Sequence, residues 1–177
     1  LNGKMGIAIF FYQYARYSDN KIFGDYAGEL IDEIYEEINT NTPVDFANGL
    51  TGIGWGIEYL VKNGFVEADT DEALAEIDNS VYRSMQYRPL LLDNSNDLFG
   101  YGFYYLARLG ARGIDDENLS THIKKQHLTY LIDYTDRLLV QKQFLDFNIQ
   151  SLSIGTINSF TWFLLEMYRF DLFQVKV

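Results

Sequence analysis

A chain of 177 residues with 47% hydrophobic and 22% charged residues has the composition of a folded domain with its own core. Its formal charge of −11 argues against a phosphate-backbone binder, and the absence of cysteine excludes disulfides, thiolate nucleophiles and thiolate metal ligands. The 14 tyrosines and 13 phenylalanines require a thick core or a lined cavity.

The chain opens on Gly3-Lys4-Met5-Gly6, and Gly6 to Tyr17 is apolar nearly all round. That pattern predicts a helix buried on most faces. From Tyr26 to Ile38 the pattern becomes one-sided. Leu30, Ile34 and Ile38 form a stripe with Ile31 and Tyr35 beside it, and Asp32, Glu33, Glu36 and Glu37 lie opposite. Asn39-Thr40-Asn41-Thr42-Pro43 then turns the chain, because proline cannot simply continue a helix. Gly49-Leu50-Thr51-Gly52 opens a second apolar helix, Gly52 to Val61, which stops at Lys62-Asn63-Gly64, where glycine can take the left-handed conformation. A second one-faced helix, Thr70 to Met85, carries Leu74, Ile77, Val81 and Met85 on its stripe, and Asp69 with Glu72 resembles a capping pair. Arg88-Pro89 returns the chain to a third apolar helix, Leu98 to Leu109, around Gly100-Tyr101-Gly102. The segment Leu119 to Val140 is one-faced again, with Leu128, Leu131, Ile132, Leu138 and Leu139 along one side and Ser120 as its cap. Gly155-Thr156-Ile157-Asn158 precedes the last apolar helix, Ser159 to Phe170. Nothing alternates as a strand. The nearest approach to a bilayer span, Ile154 to Phe170, carries Asn158, Glu166 and Arg169, so no membrane partner is expected.

The glycine clusters begin at residues 3, 49, 100 and 155, a period near 50 that fits one helical hairpin and two loops. The expected fold is all-α, one domain over residues 1–177, with glycine-rich inner helices backed by amphipathic outer ones. Three and a half such hairpins form an arc, or part of an α/α toroid. Both ends are expected to be cut from a longer protein. Glycine costs a helix about 1 kcal/mol relative to alanine. The four glycines from 49 to 56 therefore imply close helix packing, with Gly52 as a contact, or backbone N–H groups presented to a ligand.

The Gly-x-x-Gly starts, the period and the segment DFANGLTGIGW at 45–55 resemble the lanthionine synthetase C-like family over most of the chain. The resemblance implies an α/α toroid and an enzyme that adds a cysteine thiol to a dehydroamino acid in a ribosomally made peptide. In the family, zinc held by two Cys and one His activates that thiol. Here Asp45 stands at the family's Asp, four positions before the first Gly. Phe99 stands where the His precedes a Gly, and Ser153 where the first zinc Cys lies two positions before one. The remaining Cys-His pair has no counterpart, and His122 and His127, five apart, do not share a helix face. The expectation is a chain with no metal site, no cofactor and no assigned catalytic residue. Its expected partner is a precursor peptide or a partner modification enzyme, in the cytoplasm.

In a toroid the inner-helix N-termini face the central cavity. That places Asp45, Asn48, Asn94, Asn96, Asp97 and Asn158 on a rim, with Trp55, Tyr101 and Tyr104 as stacking surfaces for a peptide or sugar. Asp45 and Trp55 at one opening would hold a Lys or Arg of a peptide by charge and cation–π contact. The alternative is that the Asp and Asn residues cap helices and shape turns while the rings fill the core. A glycan-active toroid enzyme would need paired carboxylates, drawn from Asp45, Asp93 and Asp97. A non-catalytic scaffold would use the concave face of the arc.

Overall fold

The computed structural model describes residues 3–87, 95–110, 119–140 and 154–169. These form eight helices: α1 (Gly3–Ser18), α2 (Lys21–Glu37), α3 (Leu50–Lys62), α4 (Thr70–Ala73), α5 (Ala75–Tyr87), α6 (Ser95–Gly110), α7 (Leu119–Val140) and α8 (Ile154–Arg169). No strand occurs among the described residues. A far-ultraviolet circular dichroism spectrum of the purified chain is expected to be helical throughout; a strand-dominated spectrum would refute this architecture. Contacts group the chain into two compact units, Leu1–Arg88 and Pro89–Val177.

In the first unit α1 packs on α2 and α3, and α3 packs on α4 and α5. The α1–α2 turn uses Asp19 at φ 51, a left-handed conformation that Asp tolerates. Asn20 then caps α2, its side chain accepting from the Ile22 amide at 3.1 Å. This cap starts α2 at Lys21, ahead of the point where its apolar stripe becomes legible. Leu30, Ile31 and Ile34 are buried, and Asp32, Glu33, Glu36 and Glu37 face solvent. Aromatic rings join α1 to α2: Phe11 stacks on Phe23 at 5.9 Å and meets Tyr26 edge-on at 5.0 Å, and Tyr14 meets Phe23 at 4.7 Å.

The end of α3 is tied to α1. Gly64, at φ +65, donates its amide to Val61 O and Phe65 donates to Leu60 O, the paired bonds of a Schellman stop. Arg16 donates to Asn63 O at 2.7 Å, and its guanidinium lies 3.6 Å from the Phe65 ring centroid. The predicted helix 70–85 is divided at Leu74 into α4 and α5, with Asp69 capping α4 through the Asp71 amide at 3.0 Å. Leu74, Ile77, Val81 and Met85 are all buried.

In the second unit α6 packs on α7 and α8. Phe99, Tyr101, Tyr104, Tyr105 and Leu109 of α6 are buried, as are Leu128 and Leu131 of α7. α7 begins at Leu119, so Ser120 lies inside its first turn instead of capping it. The α1–α3 and α6–α8 contacts share one device, a large side chain seated where a glycine lacks a Cβ. Met5 of α1 sits over Gly56 of α3, and Phe163 of α8 sits over Gly102 of α6.

Burial of the four glycine-marked helices is uneven. α3 and α6 are buried on most faces, as their sequences imply. α1 instead exposes Ile7, Phe10, Tyr14 and Tyr17, and α8 exposes Trp162, Leu164, Leu165 and Tyr168. An apolar sequence shows that a helix can be enclosed, whereas the number of neighbours that enclose it is a tertiary matter. Arg88-Pro89, the segment 111–118, Asp93, Asn94 and Ser153 lie outside the described residues.

Candidate functional site

The loop between α2 and α3 is built by its own polar side chains. Asn39 accepts from the Asn41 amide at 2.9 Å, and Thr42 accepts from the Asn39 amide at 2.9 Å. Asp45 Oδ1 accepts from the amides of Ala47 at 3.0 Å and Asn48 at 2.9 Å, a turn that Asp forms readily. The chain then folds back on itself. Pro43 O accepts from the Leu50 amide at 2.8 Å, and Val44 O accepts from the Thr51 hydroxyl at 2.8 Å and from its amide at 3.4 Å. The first amides of α3 are thus satisfied by loop carbonyls, and Gly49, the N-cap, offers no side chain. Gly49 is extended and buried; a Cβ there would stand 2.6 Å from Pro43 C and 2.8 Å from Asp45 O.

Beside this turn lies a cleft of about 420 Å³, formed by the start of α1, the end of α2, the loop and the start of α3. That size falls within the range of small-ligand sites. Met5 and Ile34 are its buried floor, with half-buried Ile38, Phe46 and Ile53. Asn39, Asn41 and Asn48 are exposed amides around it. Gly52 is buried and lines the cleft, and an added Cβ would collide at Gly49, beside the loop, and at Gly56, under Met5. One end carries charge: Lys4 Nζ lies 2.7 Å from Glu33 and 2.6 Å from Glu37. The hydrogen bonds that Lys4 donates to Glu33 and Glu37 raise its pKa, and the trio of one ammonium and two carboxylates has a formal charge of −1.

Of the residues singled out in the sequence, Asn48 lines the cleft. Asp45 belongs to the loop and Trp55 to α3, and neither is among the lining residues. The half-buried Trp55 packs edge-on against Phe46 at 6.0 Å and stacks on Tyr59 at 5.5 Å, so Phe46 links it to the cleft. Asn96, Asp97 and Tyr101 are on α6 in the second unit; Tyr101 is buried, and the side chains of Asn96 and Asp97 lie outside the description. Asn158 is exposed on α8, one turn before Trp162. Sequence reasoning missed the floor. Ile34 and Ile38 look like the end of a core stripe, and only the course of the loop leaves space beside them.

The zinc site of the resembling family does not fit these residues. At the place of its His stands Phe99, a side chain without a donor atom, buried against Phe163 at 6.0 Å. His127 is turned to the Tyr105 ring at 5.1 Å, and His122 is exposed beside Gln126 at 3.2 Å. Among the described residues no three His, Asp or Glu side chains converge as a metal site. Nor is any described helix long and apolar enough to cross a membrane.

No curated protein and no solved structure matches the chain. The sequence pattern of the family described as lanthionine synthetase C-like protein matches residues 1–173, nearly the whole length. That match, together with an all-helical fold among the described residues, places the chain in the lanthionine synthetase C-like family.

Proposed function

We propose that this protein binds a ribosomally made peptide without zinc-dependent cyclase chemistry, and holds it for a partner modification enzyme. The observation that carries this reading is the make-up of the cleft at the starts of α1 and α3. Its apolar floor suits one or two side chains of a peptide, and the exposed amides of Asn39, Asn41 and Asn48 suit the peptide backbone. The Lys4–Glu33–Glu37 trio leaves a negative charge at one end, which favours a basic residue in the ligand.

Trp55 is a built-in reporter because its ring touches Phe46 of the cleft. The second emitter, Trp162, is removed by Trp162→Phe. Titration with precursor peptides from the same gene neighbourhood is expected to give a saturable change in emission. Phe46→Ala should weaken the response about tenfold, the loss of one apolar anchor. Asp45→Asn should bind as the wild type does, since its amide oxygen still accepts from Ala47 and Asn48. No saturable response from any such peptide, or identical affinity in Phe46→Ala, would remove the cleft as the site.

A further inference from the structure

α1 carries two apolar stripes. Met5, Ala8, Tyr12 and Ala15 turn inward, with Met5 and Ala8 fully buried. Ile7, Phe10, Tyr14 and Tyr17 form a second stripe and are 46%, 60%, 39% and 87% exposed. Phe10 stacks on Tyr14 at 6.0 Å and Tyr14 approaches Tyr17 at 6.5 Å, so the stripe is a continuous ridge. Tyr26 of α2 extends it through Phe11, which meets Phe10 at 5.3 Å and Tyr26 at 5.0 Å. At roughly 200 Å² for a whole aromatic side chain, the exposed parts of these five residues amount to about 550 Å². That is near the upper end for a monomer's largest apolar patch. It is most of the roughly 800 Å² that each partner brings to a stable protein interface.

We propose that this ridge is a self-association face, on which two copies pair antiparallel about a twofold axis level with residue 12. Two features select a second copy as the occupant. The spacing of the stripe, three, four and three residues, is the same from either end. An antiparallel pair therefore sets Ile7 against Tyr17 of the second copy, and Phe10 against Tyr14 of the second copy, with each contact repeated by symmetry. The second feature is charge. Copies with a formal charge of −11 repel each other over most of their surfaces. Among the described helices α1 alone has no acidic residue and bears only Lys4 and Arg16. It is the helix on which two copies meet with least repulsion.

Sedimentation over a range of concentrations is expected to show a monomer–dimer equilibrium. Phe10→Glu places two carboxylates in the seam and should weaken it on the order of 100-fold or more. Its circular dichroism should be unchanged, because Phe10 is exposed. The absence of cysteine permits a geometric test by disulfide trapping. Ile7→Cys mixed with Tyr17→Cys should form the mixed disulfide. Either variant alone should not, because its two sulfurs would lie about 15 Å apart along the helix axis, beyond the roughly 7 Å Cα separation a disulfide spans. A wild type that stays monomeric throughout, or like disulfides forming as fast as mixed ones, would overturn the proposal. So would association abolished by Trp162→Glu, which would move the interface to α8.

Discussion

Gly49→Ala is expected to lower the stability of the first unit by about 3 kcal/mol, the upper end for overpacking. Most glycine substitutions are relieved by movement of a neighbouring side chain. Here the obstruction is backbone: the carbonyl of Pro43, with its carbon 2.6 Å from the new methyl group, and the Asp45 oxygen at 2.8 Å. Those carbonyls cannot retreat freely. Pro43 O is bonded to the Leu50 amide at 2.8 Å, and Asp45 anchors the next turn through Ala47 and Asn48. The methyl group therefore breaks either the start of α3 or the loop. Gly24→Ala is the control. Its Cβ would meet only Ala15 Cβ at 3.7 Å, an ordinary contact in the interior of α2. Replacing a helical glycine there should stabilise by about 0.5–1 kcal/mol. Urea midpoints of the two variants should thus move in opposite directions. A Gly49→Ala midpoint equal to the wild type would show that the loop yields, and that the cleft beside it is not rigidly built.

Phe163→Ala is expected to cost the second unit about 3–5 kcal/mol, the range for truncating a buried aromatic residue. Phe163 is a buried contact of α8 with α6, lying 6.0 Å from Phe99 and 6.2 Å from Phe103. Its ring also occupies the space over Gly102, where an added Cβ would stand 2.8 Å from Cδ2 and 3.0 Å from Cζ. Gly102→Ala alone should cost about 1–3 kcal/mol, because the ring must leave its seat. In the Phe163→Ala background the same methyl group meets a hole, and the substitution should be neutral or stabilising. The cycle is therefore expected to show a coupling of about 1–3 kcal/mol, within the range for residues in contact. Additive effects would mean that α8 does not depend on the Gly102 notch. Midpoints from denaturation followed by circular dichroism supply all four corners of the cycle.

Several features were legible because they depend on neighbours in sequence. The all-helical class followed from apolar residues at helical spacing. The outer stripes of α2 and α5 are buried at the residues their periodicity picks out, Leu30 and Ile34, and Ile77 and Val81. The stop at Gly64 followed from the left-handed conformation that only glycine takes at low cost. The family followed from the glycine clusters, and the loss of zinc ligands from the identities at positions 99 and 153. Asn20, whose cap sets the start of α2, escaped notice because it falls in a polar turn with several equivalent candidates.

What the sequence by itself determined, then, is the helical class, the positions of the glycine-marked helices and the absence of a thiolate metal site. These are properties of local spacing and residue chemistry. Only the tertiary structure decided that Asp45 is spent on a turn, that Trp55 reaches the cleft through Phe46, and that Gly56 and Gly102 receive Met5 and Phe163. Only it decided that α3 and α6 are enclosed while α1 and α8 each leave an apolar face in water. The physical reason is the same in each case. Periodicity records what a helix can bury, whereas burial itself depends on partners brought from distant parts of the chain.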